Sequence, residues 1–282
     1  MKSNDDEVNL SASTLAALRE FAISRGILTN EDDDNDEKNG VEECVENEEK
    51  PREGKGNDAL HLISAVRNHF EVKDRNEIFR FSFGNNDITF QLKGVKRELG
   101  QTLASTGLTL WRAAENLSTF CYENAHLFQG KKSVLELGAG IGVVSILIGM
   151  IARDEASLVI ATDGDEDTLT LLRQNINDIG SKVRTAKVYW GEHQDFMKEY
   201  QDSFDIIVAA DVIYEDEQVI PLLDTAYDLL AADGSFYLAY ARRNIPVDRV
   251  LEQAAKKGFN WTVIGNCSEL REEPIYCLRR AM

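Results

Sequence analysis

A chain of 282 residues suits one α/β domain of ordinary size with sequence to spare, and 43% hydrophobic content is enough for a real core. Its 49 acidic and 31 basic side chains leave a net charge of −18, which disfavours unassisted binding to a phosphate backbone. No apolar run approaches the roughly 20 residues that span a bilayer, and neither the four cysteines nor the four histidines fall at zinc-site spacing.

The opening MKSNDDEVNL carries acids where a signal peptide carries basic residues. The expectation is an intracellular, soluble protein, in the cytoplasm with the nucleus as a second compartment. Its thiols Cys44, Cys121, Cys267 and Cys277 are then reduced. With no heptads, a monomer is the default.

Residues 1–28 centre on LSASTLAALREFAISRGIL, where Ser11 or Ser13 can cap a helix. Leu15, Leu18, Phe21 and Ala22 then share one face at helical spacing. Residues 29–58, with EDDDNDEKNG near their start, hold too little apolar surface to offset the ordering of a backbone. They read as an acidic disordered linker, with an interaction tail as the alternative. Residues 59–106 read as a helix over Ala59–Phe70 followed by a β-hairpin. Its strands are Glu77–Phe83 and Ile88–Leu92, joined through Gly84-Asn85-Asn86-Asp87.

From Gly107 to the end, strands and helices alternate. Strands are expected at Ser133–Leu137, Leu158–Thr162, Arg184–Tyr189, Asp205–Ala209, Ser235–Tyr240, Asn260–Ile264 and Ile275–Leu278. Helices are expected at Ala114–Leu127, Val143–Ala152, Glu166–Ile179, Gln218–Leu230 and Val247–Lys257. That alternation predicts an α/β fold with a doubly wound, Rossmann-like seven-strand sheet. The last connection lacks a helix, so the final strand pair should be antiparallel.

The strongest chemical signal is Val134-Leu135-Glu136-Leu137-Gly138-Ala139-Gly140-Ile141-Gly142, a buried strand running into a glycine turn and then a helix. Glycines let a backbone approach a ligand that side chains would hold off. A lone G-x-G could serve a dinucleotide, a nucleoside or nothing. Here the G-A-G-I-G spacing is shorter than the dinucleotide pattern, an acid precedes the first glycine, and Asp163 closes the next strand where a carboxylate can accept ribose hydroxyls.

These residues resemble the S-adenosylmethionine-dependent methyltransferases. The resemblance narrows with Thr106-Gly107-Leu108-Thr109-Leu110-Trp111-Arg112-Ala113-Ala114 before the first helix of the domain. Tyr189-Trp190-Gly191 follows the third strand, and Ala210-Asp211-Val212-Ile213-Tyr214 follows the fourth. In that order the segments resemble the family-16 group of seven-strand protein methyltransferases, mostly lysine enzymes, over about residues 77 to 280.

The resemblance implies S-adenosylmethionine as cofactor and a protein as substrate, with no direct nucleic-acid partner and no membrane. It places the backbone of Gly138, Ala139 and Gly140 beneath the methionine part, Glu136 toward its amino group, and Asp163 on the ribose with Gly164 beside it. Trp111 walls the pocket, Trp190 packs on the adenine, and Ala210 lies against the cofactor. Asp211 and Tyr214 line the channel for the target amine, as the catalytic pair. One position departs from the pattern: Tyr189 stands where family members often have Asp.

A weaker resemblance ties LSASTLAALREF to lysine methyltransferases acting on translation elongation factor 1A, which makes a translation factor a candidate substrate. The chain lacks the Pro-Pro pair of enzymes that methylate adenine or glutamine amines. Other acceptors stay open: a histidine, an arginine, an N-terminal amine or a small molecule. A non-catalytic scaffold on the same fold is the remaining alternative, and the complete set Glu136, Gly138, Gly140, Asp163 and Asp211 argues against it.

Overall fold

The computed structural model of the chain describes residues 76–97, 106–152, 154–240, 245–264 and 274–281. The helix read over residues 10–28, the acidic linker over 29–58 and the helix over 59–70 lie outside the described residues. In chain order the elements are β1 (Asn76–Phe83), β2 (Ile88–Val95), α1 (Arg112–Glu123), β3 (Ser133–Leu137), α2 (Val143–Ile151) and β4 (Leu158–Asp163). After them come α3 (Glu166–Ile179), β5 (Arg184–Lys187), α4 (Gln194–Tyr200), β6 (Phe204–Ala210) and α5 (Val219–Leu229). The chain ends with β7 (Leu230–Ala239), α6 (Val247–Lys257), β8 (Phe259–Ile264) and β9 (Ile275–Arg280).

The main sheet has seven strands in the order β5-β4-β3-β6-β7-β9-β8. β3 to β7 run parallel, and β9 is antiparallel to both β7 and β8. This is the doubly wound sheet with an antiparallel last pair that the alternation predicted, and β9 slots in between its two partners. Period-2 alternation sends β3 to two different cores. Val134 joins α1, α2 and α3 on one face, while Leu135 and Leu137 join α5 and α6 on the other.

α2 reads VVSILIGMI and is apolar nearly all round, because it is enclosed between its neighbours. Each of its fully buried Ile and Leu side chains contributes about 1.5–3 kcal/mol relative to exposure. α3 begins where the Asp165 side chain accepts the Thr168 N–H at 2.7 Å, and it stops at Gly180 in the left-handed region.

The β1–β2 hairpin lies on the α1–α3 face, with Phe90 and Leu92 in the core there. Its turn has positive φ at both central residues, Asn85 at 54° and Asn86 at 72°, and Asp87 N–H donates to Gly84 O. Asn tolerates that conformation, and the turn's twist matches the strands.

Several bounds differ from the sequence reading, and one element is new. α4 was not expected. It is seven residues long and mostly polar, and it forms because Phe196 and Tyr200 stack against each other and on Phe204. β5 ends at Lys187, so Tyr189 and Trp190 lie in the loop beyond it. β7 begins at Leu230, with a register shift opposite Phe204 to Ile206. Among the described residues no helix is long and apolar enough to cross a membrane.

Candidate active site

β3 and β6 are neighbours, yet the helices after them depart to opposite faces of the sheet. A crevice therefore opens at their carboxyl ends, where doubly wound folds hold ligands. The floor is the glycine turn. Gly138 has φ +70°, and a Cβ there would lie 2.6 Å from Val212 Cγ1 and 3.3 Å from Trp190 Cζ2. Gly140 has φ +54°, and its Cβ would face Gly107 O at 3.2 Å. Glycine best meets both demands, a left-handed backbone and close approach to the walls.

Asp163 closes β4 beside this turn. Its Oδ2 accepts the Gly140 N–H at 3.1 Å, and its Oδ1 accepts the Asp165 N–H at 3.1 Å. Burial pushes the Asp163 carboxyl above its ordinary value, against the opposing pull of those two N–H donors. The carboxylate is thus preorganised by the backbone it borders.

The crevice encloses about 470 Å³. Trp111, Gly138, Gly140, Asp163, Gly164, Trp190, Ala210, Asp211 and Tyr214 all line it. The geometry brings these sequence candidates together from segments scattered along the chain. Trp111 precedes α1 and is held by its indole N–H donating to Thr106 O at 2.9 Å. Asp211 has φ +57° just past β6, and its N–H donates to Ala239 O at 3.0 Å. Left-handed backbone costs a non-glycine residue roughly 1–2 kcal/mol, and Asp tolerates it better than most. Asp211 also does not close the capping box that follows. That role belongs to Glu215, paired with Gln218.

Glu136 and Ala139 are not among the lining residues. Ala139 is 7% exposed and donates its N–H to Thr162 O. Glu136 is 2% exposed, and its Oε2 accepts the Ser145 N–H at 2.9 Å together with the Ser145 hydroxyl. A carboxyl oxygen reaching the first turn of α2 satisfies a donor that the helix cannot.

Several lining residues escaped the sequence reading as site candidates. Asp165 was identifiable as the α3 cap. Glu217 and Gln218, from the turn before α5, and Pro221, in its first turn, carry no motif of their own. Gln218 frames the rim, since its Oε1 accepts the N–H groups of Tyr214 and Glu215 at 3.2 Å each. Tyr189 also lines the crevice and is 53% exposed, with Lys187 Nζ 5.2 Å from its ring centroid.

The charge of the lining is one-sided. Asp163, Asp165, Asp211 and Glu217 contribute carboxylates, and no Lys, Arg or His lines the crevice among the described residues. Four aromatic side chains, Trp111, Tyr189, Trp190 and Tyr214, complete the walls. Such a cleft attracts cations and planar rings and repels phosphates.

The buried Glu136 gives a testable pH signature. Burial raises its pKa from 4.5 to about 8, with the Ser145 hydroxyl and N–H pulling the other way and Asp163 adding to the rise. Between those values the folded chain holds a proton that the unfolded chain releases. Stability therefore falls as pH climbs through this window, by at most about 1.4 kcal/mol per unit. Glu136→Gln removes the titration, so its melting temperature relative to the parent should rise steadily from pH 5 to pH 8.5. A constant offset across that range would mean the carboxyl is already ionised when folded.

A sequence model described as "Lysine methyltransferase" matches residues 95–257, more than half of the chain. Calmodulin-lysine N-methyltransferase of Arabidopsis thaliana is 35% identical over 182 residues, covering 63% of this chain and 52% of that protein. Protein-lysine N-methyltransferase EFM3 of Chaetomium thermophilum is 30% identical, covering 59% of this chain and 52% of its own length. EEF1A lysine methyltransferase 3 of Mus musculus is 28% identical, covering 59% of this chain and 67% of its own. The chain matches about half the length of the first two relatives.

Proposed function

Because the chain belongs to the lysine methyltransferase family, we propose that it transfers a methyl group from S-adenosylmethionine to a lysine side chain of a protein. One observation carries this reading: the crevice pairs a glycine floor with four carboxylates and, among the described residues, no lining cation. That acid-rich lining suits the sulfonium, the ammonium, the ribose hydroxyls and the flat base of S-adenosylmethionine, which carries no phosphate. A Cβ at Gly138 would fill the space against Trp190 and Val212, so the floor is kept clear.

When bound, the cofactor supplies an electrophilic methyl group on a positively charged sulfur. The chain's own residues do the rest. Asp163 accepts hydrogen bonds from ribose hydroxyls, and Trp111 and Trp190 offer aromatic walls. The incoming lysine has an ordinary pKa near 10.4, so its nitrogen arrives protonated and needs its lone pair freed. The Asp211 carboxylate orients that ammonium and draws its proton toward an Oδ atom. The Tyr214 phenol, 44% exposed at the rim, closes the other side of the entering side chain.

The substrate is a protein, and a translation factor is our first candidate. The support is the name of the mouse relative, which acts on EEF1A; the plant relative acts on calmodulin instead. We place the activity in the cytoplasm, where buried free thiols such as Cys121 and Cys277 persist as thiols.

The test is methyl transfer from labelled S-adenosylmethionine into a lysate of cells lacking this protein, with the labelled position found by mass spectrometry. Label on a lysine of one or a few proteins is expected. Label confined to histidine, arginine or small molecules would overturn the lysine reading, and no label with no cofactor binding by calorimetry would overturn the enzyme.

A further inference from the structure

We propose that Asn175, on α3, is a positioning residue for the cofactor turn, acting by tying the β1–β2 hairpin to the loop Gly138–Gly142. The inference rests on the cofactor reading above. Asn175 is 1% exposed, and its amide is engaged on two sides. Its Oδ1 accepts the Lys93 N–H at 2.9 Å, its Nδ2 donates to Lys93 O at 2.9 Å, and the same Nδ2 donates to Ile141 O at 3.0 Å. Toward β2 the side chain behaves like one residue of a further strand, pairing with an N–H and a C=O that point away from β1.

Toward the turn it solves a different problem. The Ile141 carbonyl stands just before α2, and the amide four residues on, Ser145 N–H, donates to Glu136 instead. That carbonyl therefore needs a partner from outside the helix, and Asn175 supplies it. Glu136 thus holds the first turn of α2, and Asn175 holds the end of the glycine turn that leads into it.

The hairpin braces the same pocket a second way. Thr109 Oγ1 donates to Val95 O at 2.6 Å, and a Cβ on Gly94 would meet Leu108 O at 3.1 Å. The segment before α1 thus rests on β2, and Gly107 of that segment lies against Gly140. An extension remote from the chemistry in sequence fixes both the floor and one wall of the crevice. Losing Asn175 leaves three backbone groups without this partner, the buried Ile141 carbonyl among them, and frees the floor to shift.

The experiment uses the full chain and two variants. Asn175→Asp keeps the shape but loses both donors, and Asn175→Ser is milder and keeps a hydroxyl. Calorimetric titration with S-adenosylmethionine should show the dissociation constant rising about tenfold for Asn175→Asp and less for Asn175→Ser. The cofactor KM should follow, with kcat at saturating cofactor moving by less than about threefold. Amide exchange at Gly140–Gly142 should quicken in both. A control, Val250→Ala on α6, lowers the melting temperature from the opposite face of the sheet and should leave the dissociation constant unchanged. If the Asn175 variants lose stability but bind cofactor like the parent, the residue is structural only and the proposal fails. If the parent itself binds no cofactor, the functional reading fails instead and takes this proposal with it.

Discussion

Asp211→Asn is expected to lower methyl transfer by about 10²–10⁴-fold, the usual range for a positioned proton acceptor, while changing cofactor affinity by less than threefold. Asn is the right replacement for two reasons. It tolerates φ near +57°, so the turn after β6 keeps its shape. It also preserves the size of the side chain while removing the charge that orients an ammonium. Ala at the same position would add backbone strain to the chemical loss and blur the result. Stopped-assay turnover at saturating cofactor, beside calorimetric binding, separates the two quantities. Full turnover by Asp211→Asn would remove Asp211 from the acceptor site. A parallel loss of binding and turnover would move it to the cofactor.

Raising the pH should partly rescue the Asn variant. A lysine amine deprotonates unaided as pH approaches 10.4, and the need for an acceptor then shrinks. If the slope of log rate against pH is the same in parent and variant, proton acceptance is not what Asp211 contributes.

The glycine turn was legible in the sequence because its backbone demands are severe. A left-handed φ at Gly138 and Gly140, with Val212 and Gly107 pressed close, strongly favours glycine at both. The direction of Glu136 was less legible, though a clue was present. Strand alternation sends Glu136 to the face that α2 covers, and α2 carries one polar side chain in its apolar run, Ser145. The pair meets there rather than in the crevice.

Asn175 left a similar trace. On α3 the buried positions are Thr168, Leu169, Leu172, Asn175 and Ile176, so a lone amide sits on the apolar stripe. An amide in that place needs partners. The conformation of Asp211 left no trace at all, since it is set by β7 accepting its N–H. The rim from Glu217 to Pro221 was hidden because its shape comes from a capping box and not from a pattern.

Asp163→Ala should fail in the opposite sense from the Asp211 variant. The carboxylate accepts two backbone N–H groups and, in the proposed complex, ribose hydroxyls as well. Hydrogen bonds to a charged acceptor contribute about 1.5–3 kcal/mol each. Losing a pair of them weakens cofactor binding by about 10²-fold or more. Turnover at saturating cofactor should drop far less, because the acceptor side of the crevice is untouched. Acid should mimic the substitution. Burial has raised the Asp163 pKa, so its charge is lost at higher pH than an ordinary aspartate would lose it. Cofactor affinity of the parent should therefore decline on acidification before neighbouring exposed carboxylates titrate, and Asp163→Ala should lack that decline. Equal pH dependence in parent and variant would assign the sugar contact to another group, with Asp165, two residues on and also in the lining, to test next.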